Sequence, residues 1–277
     1  MNGPRWTDGS PGASRFLFGE LMNHISVMII TYNEGENIRP CLEGVRWADE
    51  IVVVDSFSTD QTVEICREFT DKIVQRKWEG FGFQKQFALE QTTSDWVLSI
   101  DADERVSAEL REEILSKKDG FDRDGYSIPF RFYWLGTPLR FGGCGKERHI
   151  RLFRRERARF EGLIHEKLLI DGKIGRLEGS ILHLSYRNIE DYFNKFNLYS
   201  TLVARQKFKE GRHIPFVLQI FASSGDFIRR YVLRLGFLDG MPGFLWAGFS
   251  SFHRLVKYAK LWEIERLERQ KGSCTCS

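Results

Sequence analysis

The first sustained apolar run, "HISVMIITYN" (24–33), gives way to polar residues, which predicts a strand buried on both faces with a polar carboxyl end. "EIVVVDSFSTD" (50–60) repeats the pattern: a β-branched core segment, then Asp, Ser and Thr. "EGENIRPCLEGVRWA" and "QTVEICREF" between and after them carry helical spacing, and "KIVQ" reads as a third short strand. "GFGFQKQFALEQT" (80–92) is again helical, "WVLSI" (96–100) is a fourth strand, and a further helix starts near Ser107. Strands alternating with helices predict an α/β fold with a mostly parallel sheet and helices on both faces. Ligands of such sheets bind beyond the carboxyl ends of the strands. Thr31, Asn33, Glu34, Asp55, Asp60, Asp101 and Asp103 all fall there.

Beyond residue 125 the pattern changes. "YSIPFRFYWLG", "RHIRLFRRE" and "HEKLLIDGKIGRLEGSILHLSY" read as strands, the last interrupted by turns at Asp171-Gly172 and Glu178-Gly179. From Ile189 helical periodicity takes over, and residues 214–270 read as amphipathic helices with two apolar stretches broken by Asp226, Arg229, Arg230 and Asp239. The organisation expected is a disordered leader over 1–23, an α/β domain over 24–190 and a helical, amphipathic region over 191–277. No run of about 18 uncharged apolar residues predicts a spanning helix.

Charge changes the picture in one place. From Arg187 to Ser277 there are 15 Lys+Arg against 8 Asp+Glu, a net of +7 on a chain whose total is +3. A basic, aromatic-rich end on a near-neutral body predicts an anionic membrane surface as partner; a solvated helical face is the plain alternative. The small overall charge and the lack of a recognised module argue against nucleic acid. Five scattered cysteines give no disulfide framework, so reduced thiols in a cytoplasmic setting are expected.

"WVLSIDADERVS" (96–107) carries the candidate chemistry. Asp101 and Asp103, at i and i+2 of a strand end, can face one ligand across the small Ala102. Two convergent carboxylates suit Mg²⁺ or Mn²⁺, which completes its shell with water and phosphate oxygens. In the alternative, Asp103 or a neighbour only caps the helix beginning near Ser107, with Glu104 and Glu109 favoured by its dipole; on the metal reading too, Glu104 and Ser107 belong to the helix start. "KERHIRLFRRERAR" (146–159) holds 7 Lys+Arg in 14 residues and is suited to gripping phosphate, unless it is only the solvated face of a strand.

Taken together, "MIITYNEGENI", "EIVVVDSFSTDQT", "QKQFAL" and "WVLSIDADE" resemble the inverting family 2 glycosyltransferases, which have the GT-A fold. The later "HE", "LHLSY" and "RLGFLDGMPGF" resemble the subgroup with lipopolysaccharide-core β-1,4-glucosyltransferases. The resemblance implies that Thr31, Tyr32, Asn33 and Glu34 line a nucleotide pocket and that Asp55 recognises uridine. Lys85 would lie against the uracil or diphosphate. Asp101 of the D-x-D motif would contact the donor's ribose or sugar, and Asp103 would be the main metal ligand. Glu166 is the candidate base, His165 its orienting or acceptor-binding neighbour, and His183 a candidate further metal ligand, with a structural histidine as the alternative.

The function so implied is transfer of one hexose, glucose from UDP-glucose, to a lipid-linked or lipopolysaccharide-core glycan at the cytoplasmic face of the inner membrane. Absence of Q-x-x-R-W, the mark of processive relatives, points to single-sugar transfer. A sugar nucleotidyltransferase would show a Gly-rich basic loop where this chain has "TYNEGENI". A non-catalytic, membrane-associated glycan-binding protein would leave the acidic strand ends without purpose.

Overall fold

The computed structural model describes residues 23–145, 147–162, 166–211 and 215–274, without the side chains of 271–274. The leader expected over 1–23 lies outside them except for Asn23.

Four strands with intervening helices come first: β1 (Ile25–Thr31), α1 (Gly35–Glu43), β2 (Glu50–Asp55), α2 (Thr62–Cys66), β3 (Ile73–Gln75), α3 (Phe81–Gln91) and β4 (Trp96–Asp101). β5 (Glu104–Val106) and α4 (Ala108–Lys117) follow, then β6 (Gly125–Trp134), β7 (Thr137–Pro138), β8 (Arg148–Arg154), β9 (Ala158–Glu161), β10 (Lys167–Ile170), β11 (Ile174–Arg176) and β12 (Ile181–Tyr186). Three helices close the described chain: α5 (Ile189–Lys209), α6 (Phe216–Ile228) and α7 (Gly240–Cys274). The main sheet runs β3-β2-β1-β4-β8-β6-β12-β5, with β7 and β11 also on β6; β9 and β10 pair separately. Its first four strands are parallel. β8 then runs antiparallel to β4 and β6, and the sheet is mixed from there.

The central strands are apolar on both sides because helices cover both sides. Ile25, Val27 and Ile29 of β1 share one core with Ile38 and Leu42 of α1, Cys66 of α2, and Leu110 and Ile114 of α4. Met28 of the same strand faces the opposite core, with Ala88 and Leu89 of α3, Phe153 of β8 and Phe160 of β9. The period-2 alternation of a strand thus feeds two cores at once.

Parallel register sets the functional edge. Thr31 lies opposite Asp55, and Ile30 opposite Asp101, so the polar ends of β2, β1 and β4 stand side by side. The third core, Trp134, Leu139 and Cys144 with Leu245, Trp246 and Phe249, joins the β6–β8 region to α7. Among the described residues no helix is long and apolar enough to cross a membrane.

The helical end departs from an ordinary amphipathic layout. α6 buries Gln219, Ser223 and Asp226 while Val217, Leu218, Ile220, Phe221 and Ile228 are exposed. Its polar stripe faces inward and its apolar stripe outward.

Candidate active site

Two loops at the strand ends are laced together through short polar side chains. Asn33, at φ 53°, takes the left-handed conformation that Asn tolerates better than most residues. Its N–H donates to Ser58 Oγ at 2.8 Å, and its Oδ1 accepts from the Thr59 N–H at 2.8 Å. Glu34 N–H donates to Thr62 Oγ1 at 2.9 Å, and Gly35 N–H to Asp60 Oδ2 at 3.0 Å. Asp55 is fully buried and accepts from the Ser58 N–H, the Ser58 hydroxyl and Gln75 Nε2. Thr31 is buried with an unpartnered Oγ1, whereas Tyr32 is exposed. Glu34 sits 3.6 Å from Lys195 of α5, and burial, opposed by Lys195, pushes its carboxyl up.

Beneath that cradle is a network of buried charge. Lys85, projecting from α3, is only 2% exposed; its Nζ lies 2.9 Å from Asp101 Oδ1 and 2.9 Å from Glu166 Oε1. Arg151 of β8 reaches Asp101 Oδ2 at 3.1 Å and Glu104 Oε1 at 2.6 Å, with its guanidinium over the Phe130 ring. Glu104 also accepts the Asp101 N–H at 2.9 Å. Burial raises the Asp101 carboxyl, but Lys85 and Arg151 outweigh it and hold the group far below the usual range. Burial depresses Lys85, yet Asp101, with help from Glu166, outweighs it and keeps the ammonium charged.

The Asp103 carboxylate lies one turn away. His183 Nε2 of β12 is 3.5 Å from Asp103 Oδ2 and 2.8 Å from Ser185 Oγ. Burial disfavours the imidazolium, but the Asp103 carboxylate prevails and raises the pKa of His183. These two side chains converge and could share a divalent cation, which needs few protein ligands when phosphate and water supply the rest. Asp101 is engaged by two cations instead. Among the described residues no group of three His, Cys, Asp or Glu side chains converges as a metal cluster.

The structure therefore gathers Lys85, Asp101 and Glu166 into one contact and Asp103 and His183 into a second, beside the laced loops that hold Thr31, Asn33, Glu34 and Asp55. His165 lies outside the described residues. One expectation is corrected: Glu104 is no part of the helix start. It is wholly buried in β5 as the partner of Arg151, while Ser107 caps α4 by accepting from the Leu110 N–H at 3.2 Å. Arg151 and Lys195 were not singled out by the sequence. The available signal for Arg151 was its place between Ile150 and Leu152 within a strand, where a charge reaches inward only if it has partners.

The sequence profile described as "Glycosyl transferase family 2" matches residues 26–165. The lipopolysaccharide core biosynthesis glycosyltransferase LpsC of Rhizobium meliloti is 32% identical over 255 residues, covering 88% of this chain and 94% of that protein. The glycosyltransferase RT0209 of Rickettsia typhi is also 32% identical, over 266 residues and 90% of each chain. Among solved structures, S. aureus TarS 1–349 in complex with UDP-GlcNAc aligns with 90% of this chain and 92% of its own, at 16% identity and a TM-score of 0.45.

Proposed function

The chain belongs to glycosyl transferase family 2, and from that premise we propose that it moves one hexose, glucose from UDP-glucose, onto a lipid-linked or lipopolysaccharide-core glycan. The observation that carries this reading is Lys85, a buried cation held between carboxylates from two separate elements at the strand ends. Such a set costs desolvation energy that well-packed apolar residues would avoid. Its cost makes sense where charged substrate groups arrive.

In this reading Thr31, Tyr32, Asn33 and Glu34 line the nucleotide pocket. Asp55, with its orientation fixed by Ser58 and Gln75, accepts a uracil N–H on a remaining lone pair. Lys85 and Asp101 meet the diphosphate and the ribose or sugar. Asp103 and His183 would hold Mg²⁺ or Mn²⁺, which when bound neutralises the charge developing on the leaving diphosphate. Glu166 takes the proton of the acceptor hydroxyl as that oxygen attacks the anomeric carbon from the side opposite the nucleotide. The bond to the diphosphate breaks in the same displacement, with inversion. Lys85, 2.9 Å from Glu166 Oε1, keeps that side chain aimed.

The basic helical region would meet the cytoplasmic face of the inner membrane, where a lipid-linked acceptor is found. A transfer assay with a panel of UDP-sugars and lipid-linked glycan acceptors tests the whole reading. The wild type should extend the acceptor by one hexose and stop working in excess chelator. Glu166→Gln should bind donor normally and lose about 10²- to 10⁴-fold in turnover. Turnover equal to wild type removes Glu166 as the base; no transfer with any UDP-sugar overturns the activity.

A further inference from the structure

We propose that the turn joining α6 to α7 is a rigid wedge that seats in the interfacial layer of an anionic bilayer and turns the acceptor side of the site toward it. This rests on the membrane contact proposed above and names the part of the chain that makes it.

The first observation is the inverted helix. Gln219, Ser223 and Asp226 of α6 are buried against α7, where the Ser223 hydroxyl donates to the Gln219 carbonyl and Asp226 binds Arg229 and Arg230. The outer face is apolar, with Phe221 71% exposed. Ser224 on that outer face returns its hydroxyl to the Ile220 carbonyl, so it offers water no free donor. A helix with this distribution is suited to an apolar surround on its outside.

The second observation is the turn itself. Leu233 is 72% exposed and Met241 67%, with Leu235, Phe237 and Leu238 exposed between them. Contiguous exposed apolar surface of this kind marks an interaction site. The turn is tightly folded: Leu235 has φ 58°, and a Cβ on Gly236 would fall 2.7 Å from the Arg230 carbonyl oxygen. A Cβ on Gly243 would fall 2.0 Å from the Gly236 carbonyl oxygen. These side chains are therefore held out by a fixed backbone.

Charge selects the occupant. Arg234 stands exposed in the turn itself, between the exposed Leu233 and Leu235, and among the described residues no carboxylate forms a salt bridge with it. A cation set among the apolar side chains of the wedge favours anionic headgroups over a second copy of this basic region. Position selects the orientation. The Asp239 carboxylate accepts the N–H groups of Arg140 and Phe141, tying the turn to the β7–β8 loop. Trp246, early in α7, packs 4.7 Å from the Phe132 ring, and Phe132 packs 5.8 Å from His183. The wedge is thus joined through two aromatic side chains to the site.

The experiment is co-sedimentation of the full chain with vesicles of phosphatidylcholine, with and without phosphatidylglycerol, alongside hydrolysis of UDP-sugar in solution. The wild type should bind the anionic vesicles, and about tenfold less tightly the neutral ones. Leu233→Asp and Leu238→Asp, both at exposed positions outside the site, should each weaken binding about tenfold or more with unchanged donor hydrolysis. Leu233→Ser provides a milder version without added charge. Wild-type vesicle binding by these variants overturns the wedge. So does a wild type that hydrolyses donor but binds no vesicle, or a substitution that only converts a dimer to a monomer. Vesicle binding by a chain that transfers from no UDP-sugar to a lipid-linked acceptor leaves the wedge standing and removes the proposed donor and acceptor.

Discussion

Arg151 shows how much one residue decides. It ion-pairs with both Asp101, which is partly exposed, and Glu104, which is cut off from water. Arg151→Met should leave Glu104, whose carboxyl burial already pushes up to about 7, without its cation, so that it takes up a proton at a cost of about 1–3 kcal/mol in urea unfolding. Arg151→Lys should recover part of that loss, because it restores the charge but cannot span two carboxylates with a planar fork. Transfer kinetics should show a raised donor KM in both, since Asp101 loses its fixed orientation. Asp101, Lys85 and Glu166 were legible as candidates because strand ends and ordered motifs mark them. Arg151 was not: seven cations in fourteen residues look alike until the fold shows which one points inward. Glu104 was misread for a related reason, since an acid just before a helix ordinarily serves that helix, and only the antiparallel partner β12 shows that it belongs to a strand.

For the elements, the meeting of α3 with the end of β9 governs the site. Gly82 N–H donates to the Gly162 carbonyl at 3.1 Å, and a Cβ at Gly82 would fall 2.1 Å from that oxygen. Lys85 stands one turn further along α3, and Gly162 lies four residues before Glu166. Gly82→Ala should therefore separate the two elements that bring Lys85 to Glu166. The expected loss is about 10- to 100-fold in kcat, with about 1–3 kcal/mol of stability. A kcat unchanged within twofold, measured beside thermal unfolding, would show that the contact does not position the pair. β1, β2 and β4 were readable from their apolar runs because both faces of each strand are covered. The direction in which α6 turns its stripes was not readable. Periodicity reveals that two faces differ, while the partner on each side comes from tertiary packing.

Across the whole molecule, the opposite edge of the sheet sets acid stability. Glu50, at the start of β2, binds Lys72 before β3, the Ser26 hydroxyl of β1 and both donors of Thr93 before β4. Burial raises its carboxyl, but these hydrogen bonds prevail and bring its pKa down to about 2. A carboxyl depressed on folding contributes stability that is full above its unfolded value, about 4.3, and is lost as pH falls through 2. Glu50→Gln should thus be less stable at neutral pH, on the order of 2 kcal/mol, with the difference vanishing near pH 2. Denaturant unfolding across that range checks it; a difference independent of pH would assign the effect to packing. The parallel half of the sheet was legible from strand–helix alternation. Reversal at β8 was not, because antiparallel pairing beyond residue 125 depends on contacts between distant segments.

The laced loops above the network have one more consequence. Asn33, Ser58, Thr59, Asp60 and Thr62 hold the two loops to each other through their own hydrogen bonds. In the proposed function a nucleotide would meet a preorganised surface, with little of its binding energy spent on ordering backbone. Choice among nucleotides then falls at encounter, through shape already set. The timing of turnover in that function would pass to the other half of the reaction, the arrival and alignment of the acceptor.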